Sequence, residues 1–273
     1  MSLTIDGKSL NQLGLALLPG FQHPAAPPVR DYTVSIPGRP GAYYFGSDID
    51  PLEFNLPLII KPQENRFELA AAIRKMVAVF VDHYGKPKEV KLIYDYEPDK
   101  YYLARYSGSI PIERYLRMGK FELPMVAYNP YAYSIIDAKD NVLWGDDIPF
   151  MSDIPFLLED SKTLVTTPTS IEITNPGSLV VRPKIVIFGN AENFALTING
   201  ERYFVGNFTQ STVTIDAEYY TAVRVRGSTQ SNLLFNLQGD LEKLRFFPGI
   251  NTLQVAGDNM NVTVDLQFRA KYI

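Results

Sequence analysis

The stretch 170–273 constrains the fold most, because it is a succession of short runs in which apolar and polar residues alternate. In the last run Val262, Val264, Leu266 and Phe268 alternate with Asn261, Thr263, Asp265, Gln267 and Arg269. A period of two puts one set on a buried face and the other in water, as a half-buried strand requires. Upstream, Phe246-Phe247-Pro248-Gly249-Ile250-Asn251-Thr252-Leu253-Gln254-Val255 reads as strand, Pro-Gly turn and strand, with Gly257-Asp258-Asn259 as the next turn. Asn199-Gly200 separates the runs 194–198 and 202–205. That pair suits a type I′ hairpin, which needs positive φ at both central residues. Further strands are expected at 170–174, 184–188, 212–215, 222–226 and 233–237. Short strands at a spacing of roughly 8 to 12 residues, with no helical run among them, predict an all-β sandwich or jelly roll.

The preceding residues read differently. Leu3-Thr4-Ile5 before Asp6-Gly7 predicts a strand and a tight turn. The uncharged segment 10–29, with prolines at 19, 24, 27 and 28, reads as a connector or edge segment, and His23 within it as a solvent-facing loop residue. The run 31–36, the break Pro37-Gly38-Arg39-Pro40-Gly41 and the return 42–45 predict a hairpin with a tight tip. Residues 52–60 alternate, and Pro57 marks that strand as an edge or a bulge. One helix is expected, capped by Asn65 with Glu68 three residues on and closed by Gly85 and Pro87. Leu69, Ile73, Met76, Val77, Phe80 and Tyr84 form its apolar stripe, and its other apolar positions call for cover on more than one side. His83 is placed in the last turn, at the carbonyl end of the helix dipole. Strands at 90–94 and 101–106, joined by a turn at Glu97-Pro98-Asp99-Lys100, and at 109–113 and 120–128 complete a sheet. The expected fold is an α+β N-terminal domain (1–136), mostly β with one long helix, then an all-β galectin-like or jelly-roll sandwich (171–273). Residues 137–170 read as an acidic linker, with one strand possible in pattern at 156–158.

Charge and composition narrow the function. Residues 1–136 hold 15 Lys+Arg against 14 Asp+Glu, residues 137–170 hold 2 against 7, and residues 171–273 hold 9 against 9. Neither domain offers the clustered cations that static binding to phosphates requires. With no cysteine and two histidines, a disulfide framework or a thiolate or multi-histidine metal site is not expected. The apolar run 13–18 is too short for a signal-peptide core and no stretch reaches a membrane span, so the expectation is a soluble protein made in the cytoplasm. There is no nucleophile elbow, no phosphate-cradling loop and no His-Glu-x-x-His. Asp137, Asp140, Asn141, Asp146 and Asp147 lack the ligand spacing of an EF-hand and read as solvated linker. Asn207-Phe208-Thr209 and Asn261-Val262-Thr263 match the glycosylation acceptor, a match given no weight without a signal peptide. In the pairs Tyr43-Tyr44, Tyr101-Tyr102 and Tyr219-Tyr220 one ring of each is expected in the core and the other at the surface.

The order of these features resembles the distal tail protein family, Dit, of long-tailed siphophages. The residues that carry the likeness are Ile36-Pro37-Gly38-Arg39-Pro40-Gly41 with Tyr44, the strand 54–60, the single helix with the strands after it, and Asn129-Pro130-Tyr131-Ala132-Tyr133. In the second half, Asn175-Pro176-Gly177, Arg182-Pro183, Phe188-Gly189 and Phe247-Pro248-Gly249-Ile250-Asn251-Thr252-Leu253 with Gly257 are similar to that family's galectin-like sandwich. The resemblance implies a structural virion protein of a siphophage or prophage, assembled in the host cytoplasm. It implies a hexameric ring at the tail tip that docks the major tail tube protein to tail-associated adhesion or lysin proteins. The tape measure protein threads the ring, DNA later passes through it, and a receptor-binding protein is a further partner. No enzyme, catalytic residue, cofactor, metal, membrane or specific nucleic-acid binding is implied. With no large insertion in the sandwich, a receptor-binding module within this chain is not expected. The alternative is a lectin-like protein acting in host-surface recognition, with Tyr219 and Tyr220 stacking on sugars. Ring formation is expected of residues 1–136.

Overall fold

The computed structural model describes residues 2–136 and 162–273. Its contacts divide the chain into two compact units, the first running to Tyr133 and the second from Ser134 to Tyr272. The described chain is mostly β with one α-helix.

The first unit contains β1 (Leu3–Ile5), β2 (Lys8–Ser9), β3 (Leu15–Leu17), β4 (Val29–Val34), β5 (Tyr43–Ile49), β6 (Leu52–Ile60), α1 (Arg66–Phe80), β7 (Val90–Tyr94), β8 (Glu97–Tyr106), β9 (Ile112–Tyr115), β10 (Met118–Ala127) and the start of β11 (Ala132–Ser134). Its antiparallel order is β2-β1-β7-β8-β10-β6-β3, with β9 added on β10. Alternation works here as the sequence requires. Leu52, Phe54, Leu56, Leu58 and Ile60 of β6 and Phe121, Leu123 and Met125 of β10 are buried, while the residues between them face outward. Each such side chain contributes about 1.5–3 kcal/mol when fully buried.

Pro57 is read correctly in one respect. β10 pairs β6 along its length, but on the other side β3 reaches only Leu58 to Ile60. Leu18 N–H donates to Pro57 O on that side at 2.8 Å. In an antiparallel strand a residue's N–H and C=O point the same way, so the donor that proline lacks faces the open edge.

The helix begins where expected: the Asn65 side chain accepts from Phe67 N–H at 2.9 Å and Glu68 N–H at 3.0 Å. Glu68 completes no capping box, since its carboxylate accepts from Glu64 N–H at 3.3 Å instead. The helix ends at Phe80, short of the expected stop, because Val81 turns extended and bridges to Pro87. Only Leu69, Met76 and Phe80 are fully buried, and Tyr84, assigned to the stripe, is 89% exposed beyond the helix end. His83 is likewise exposed outside the helix rather than in its last turn. The expected turn at 97–100 also moves. Tyr94 pairs with Glu97, so the reversal is Asp95-Tyr96, and Pro98 lies within β8.

The second unit holds β12 (Lys162–Val165), β13 (Thr169–Asn175), β14 (Lys184–Ile198), β15 (Glu201–Asp216), β16 (Thr221–Arg226), β17 (Thr229–Asn232), β18 (Gly249–Gln267) and β19 (Lys271–Tyr272). β14 is central, between β15 and β18; β16 and β17 extend one side, and β12 and β13 both pair with β18. The strands at 162–165 and 169–170 correct the expected linker: Val165, 2% exposed, belongs to this unit's core. The strand expected at 156–158 and the acidic residues of 137–160 lie outside the described residues.

Several runs expected as separate strands are halves of long bent ones. β14 joins 184–188 to 194–198, β15 joins 202–205 to 212–215, and the expected turn 257–259 is a bend inside β18. The bends occur at one level of the sheet, where the register shifts, and Asn193, Gln210 and Asn259 take φ of +50°, +43° and +49° there. Asparagine tolerates that conformation through local hydrogen bonds. Side chains supply the bonds the ladder loses. Asn207 Oδ1 accepts from Asn193 N–H at 2.7 Å, and Asn190 Oδ1 accepts from Gln210 N–H at 2.6 Å. Both halves of each strand therefore turn their apolar faces onto one core, with Ile185, Ile187, Phe194, Leu196, Tyr203, Phe208, Val213 and Val262 in it.

At the other end, Asn199 and Gly200 have φ of +48° and +90°, as the hairpin pattern predicts. Residues 233–237 are a turn rather than a strand, held by Leu237 N–H donating to Leu233 O at 2.8 Å.

Candidate functional site

The most exposed regular structure in the first unit is the ribbon of β4 and β5. Val29 pairs with Ile49, Arg30 with Asp48, Asp31 with Ser47, and, after a bulge, Thr33 with Tyr44 and Val34 with Tyr43. No other strand pairs with it among the described residues. The expected tip closes it, with Arg39 N–H donating to Ile36 O at 3.1 Å and positive φ at Gly38 and Gly41. Since no second layer among the described residues covers the ribbon, both its faces are wet: Val29, Tyr32, Val34, Ile36, Tyr43, Tyr44, Phe45 and Ile49 are all exposed, Phe45 by 71%. Polar pairs at the surface hold its register. Arg30 pairs with Asp50, Tyr32 donates to Asp48 at 2.8 Å, and the Arg39 guanidinium sits 4.5 Å over the Tyr43 ring. The Asp48 carboxylate, a hydrogen-bond partner to the neutral phenol, moves the Tyr32 pKa upward. Apolar side chains exposed together in this number suit a contact with another macromolecule.

A second cluster surrounds His23, which the sequence places in a solvent-facing loop. The structure corrects this: the ring stacks on Tyr94 at 4.7 Å between centroids and meets Tyr102 edge-on at 5.4 Å, with Phe21, Phe54 and Tyr96 around it. Its Nδ1 shares a hydrogen bond with the Tyr96 hydroxyl, while Nε2 is buried without a partner. Burial pushes the His23 pKa down against a smaller opposing pull from Glu97. Burial likewise raises Tyr94 and Tyr96, and lifts Tyr102 to about 12. These groups stay neutral near pH 7, which suits packing rather than proton transfer. No sequence pattern could have shown this, because the partners come from β6, β7 and β8.

The tyrosine pairs depart from the one-in, one-out expectation. Tyr101 and Tyr102 are both buried, the first stacked on Tyr133 and the second on the His23 cluster, because both faces of β8 are covered there. Tyr43 and Tyr44 are both exposed because the ribbon has no core. Tyr219 and Tyr220 are both exposed in the turn before β16, but the Arg182 guanidinium lies 4.9 Å over the Tyr220 ring, so the pair is not an open platform. Among the described residues no group of three His, Cys, Asp or Glu could hold a metal ion, and no helix is long and apolar enough to cross a membrane.

Residues 8–127, which include the ribbon, α1 and the sheet they adjoin, match the family model of the phage tail protein RIFT-related domain. The whole chain superposes on the crystal structure of the Dit protein of phage SPP1, described as a paradigm of hub adsorption apparatus in phages infecting Gram-positive bacteria. The TM-score is 0.71 at 16% identity, covering 100% of this chain and 99% of that one. In fold, the chain is like that Dit protein. At 16% identity the likeness to the SPP1 protein speaks for fold alone. Two structures of the phage P2 baseplate in its activated conformation, with calcium and with strontium, align at TM-scores of 0.44 and 0.43, with 13% and 12% identity and the same coverage; likeness at that level carries no argument here. No protein of curated function matches the sequence.

Proposed function

We propose that this chain is a non-enzymatic structural component of a siphophage tail tip, in which six copies close into a ring through residues 1–136. The observation that carries the proposal is the β4–β5 ribbon, with eight exposed apolar side chains and no covering layer among the described residues. Partial burial of each contributes on the order of 1 kcal/mol. Their sum reaches the cost of association, about 4 kcal/mol upward. A head-to-tail contact, in which the ribbon of one copy lies on a different surface of the next, closes a ring without an internal two-fold. The open edge of β6 beside Pro57 offers unpaired backbone groups for such a contact.

In this reading the ring is a hub between the tail tube protein and a tail-associated adhesion or lysin protein, threaded by the tape measure protein and then by DNA. The near-balance of charge in residues 1–136 supports a conduit that does not retain phosphates. The second unit, read as a galectin-like sandwich, packs the inward faces of its long strands on a core of its own and takes no part in closing the ring.

Sedimentation and negative-stain electron microscopy of the whole protein test this, alone and mixed with the tail tube protein of the same phage. The expected result is a six-fold ring with a central hole, lost in the double variant Tyr44→Asp, Phe45→Asp while its circular dichroism is unchanged. A protein that stays monomeric under both conditions, or a double variant that still forms rings, overturns the proposal.

A further inference from the structure

β16 breaks the pattern that governs the rest of its unit. In Thr221-Ala222-Val223-Arg224-Val225-Arg226 the buried position is Ala222, at 1% exposure, so the period of two puts half-buried Arg224 and exposed Arg226 on the side of Ala222, and half-buried Val223 and exposed Val225 on the other. Arginine at positions that the alternation reserves for apolar residues is a signal of function rather than stability. The two sit about 7 Å apart along the strand. Opposite them on β17, in register, stand Ser231 and Thr229.

A cleft opens at this place for a structural reason. β15 pairs with β16 from Asp216 back to Thr212 and then bends away. Between the diverging strands lies a cavity of about 460 Å³ lined by Asn207, Phe208, Thr209, Ser211 and the four residues of β16 and β17 named above. Phe208, 4% exposed, supplies an apolar floor, and Arg224 is steadied by donating to Asn207 O at 3.4 Å. No lining residue is a carboxylate, and among the described residues neither guanidinium is ion-paired.

We propose that this cleft binds an anionic saccharide, its phosphate or carboxylate held by Arg224 and Arg226 and its ring hydroxyls by the hydroxyl and amide groups around them. Guanidinium groups match oxyanions with paired donors. The hydroxyls of Thr209 and Thr229 can both donate and accept, while those of Ser211 and Ser231, which donate to Thr209 O and Arg224 O, keep lone pairs to accept, a mixture that suits the hydroxyls of a sugar. The volume lies in the range of sites for small molecules rather than single ions. Two cations and no exposed aromatic in the lining argue against a nucleic acid, which asks for a longer basic track and stacking rings. None of its lining residues belongs to the ribbon.

The test is calorimetric titration of the whole protein with glucose 1-phosphate, galacturonate, glucose and inorganic phosphate. The two charged sugars should bind at least about tenfold more tightly than glucose and than phosphate, a step of roughly 1.4 kcal/mol. Arg224→Gln with Arg226→Gln should remove that binding while the far-UV spectrum and melting temperature are kept, and Thr229→Ala with Ser231→Ala should weaken it. If the charged sugars show no heat up to about 10 mM, a Kd too weak for a built site, the proposal is wrong. Binding that persists in the double glutamine variant, or phosphate binding as tight as glucose 1-phosphate, also overturns it. So does preference for an oligonucleotide.

Discussion

Gly189 is where the folded second unit has least room, and Gly189→Ala is the sharpest test of how its long strands cross. The residue lies in the central strand, opposite Ser211 on β15 and Val262 on β18. A Cβ there would stand 2.1 Å from Asn261 O and 2.9 Å from Val262 Cα. An ordinary carbon to oxygen contact is about 3.3 Å or more, so β14 or β18 must move by roughly 1 Å. Each is pinned on both sides, and the move weakens about two ladder hydrogen bonds at about 1 kcal/mol each. The φ of +140° adds strain of about 1–3 kcal/mol for a residue with a side chain. The expected loss is about 3–5 kcal/mol, at the high end for one substitution. Gly200→Ala is the control, since its Cβ meets nothing within 4 Å at a φ of +90°, leaving strain alone at about 1–2 kcal/mol. Urea unfolding followed by far-UV circular dichroism, with hydrogen exchange read at β14 and β18 amides, separates the two. Costs equal within about 0.5 kcal/mol would refute the reasoning.

Other substitutions probe single features. Asn251 is 1% exposed, accepts from Phe247 N–H at 2.8 Å and Asn199 Nδ2 at 2.9 Å, and donates to Phe247 O and Gly249 O; Asn251→Ala should cost about 2–4 kcal/mol, read as a lower denaturation midpoint. His23 is held neutral by burial below its ordinary pKa of 6.5, so the unfolded chain takes up a proton before the folded one. The stability this gives is complete above 6.5 and is lost as pH falls through the lowered folded value; melts between about pH 7.5 and pH 5 should fall less for His23→Phe than for the parent, and parallel slopes would sink the assignment.

The sequence shows its structure where the information is local. The alternation of 52–60, the Asn65 cap and the Asn199-Gly200 turn depend on neighbours within a few residues and appear where their patterns place them. What escapes is what depends on distant partners. The bend of β18 at 257–259 carries turn residues and reads as a turn, but β14 stays paired on both sides of it, which keeps it one strand. His23 sits among prolines and small residues and reads as loop; only the approach of Phe54, Tyr94 and Tyr102 encloses it. The inverted strand Thr221-Ala222-Val223-Arg224-Val225-Arg226 was visible as alternation, but which face is inward needs the fold. The exposure of Tyr44 and Phe45 was hidden for the same reason, since the hairpin pattern is the same whether or not a layer covers it.

The exposure of Tyr44 and Phe45 bears on what the ribbon is for. A two-stranded ribbon is marginal in water by itself, because neither face excludes solvent and only one ladder is formed. The polar pairs across it add little: the Arg30–Asp50 pair, with the arginine side chain 60% exposed, is a surface pair screened by solvent. Yet the ribbon keeps a bulge, a tight tip and matched pairs across its strands, features that fix which side chains face which way. Residues so placed, with Tyr44 and Phe45 at 62% and 71% exposure, gain their stabilisation only when another surface covers them. The charges then act against wrong partners, since burying Arg30 or Asp48 without a counterpart is costly. Apolar area supplies the affinity and the polar pairs set the register, a division suited to the ring contact proposed above.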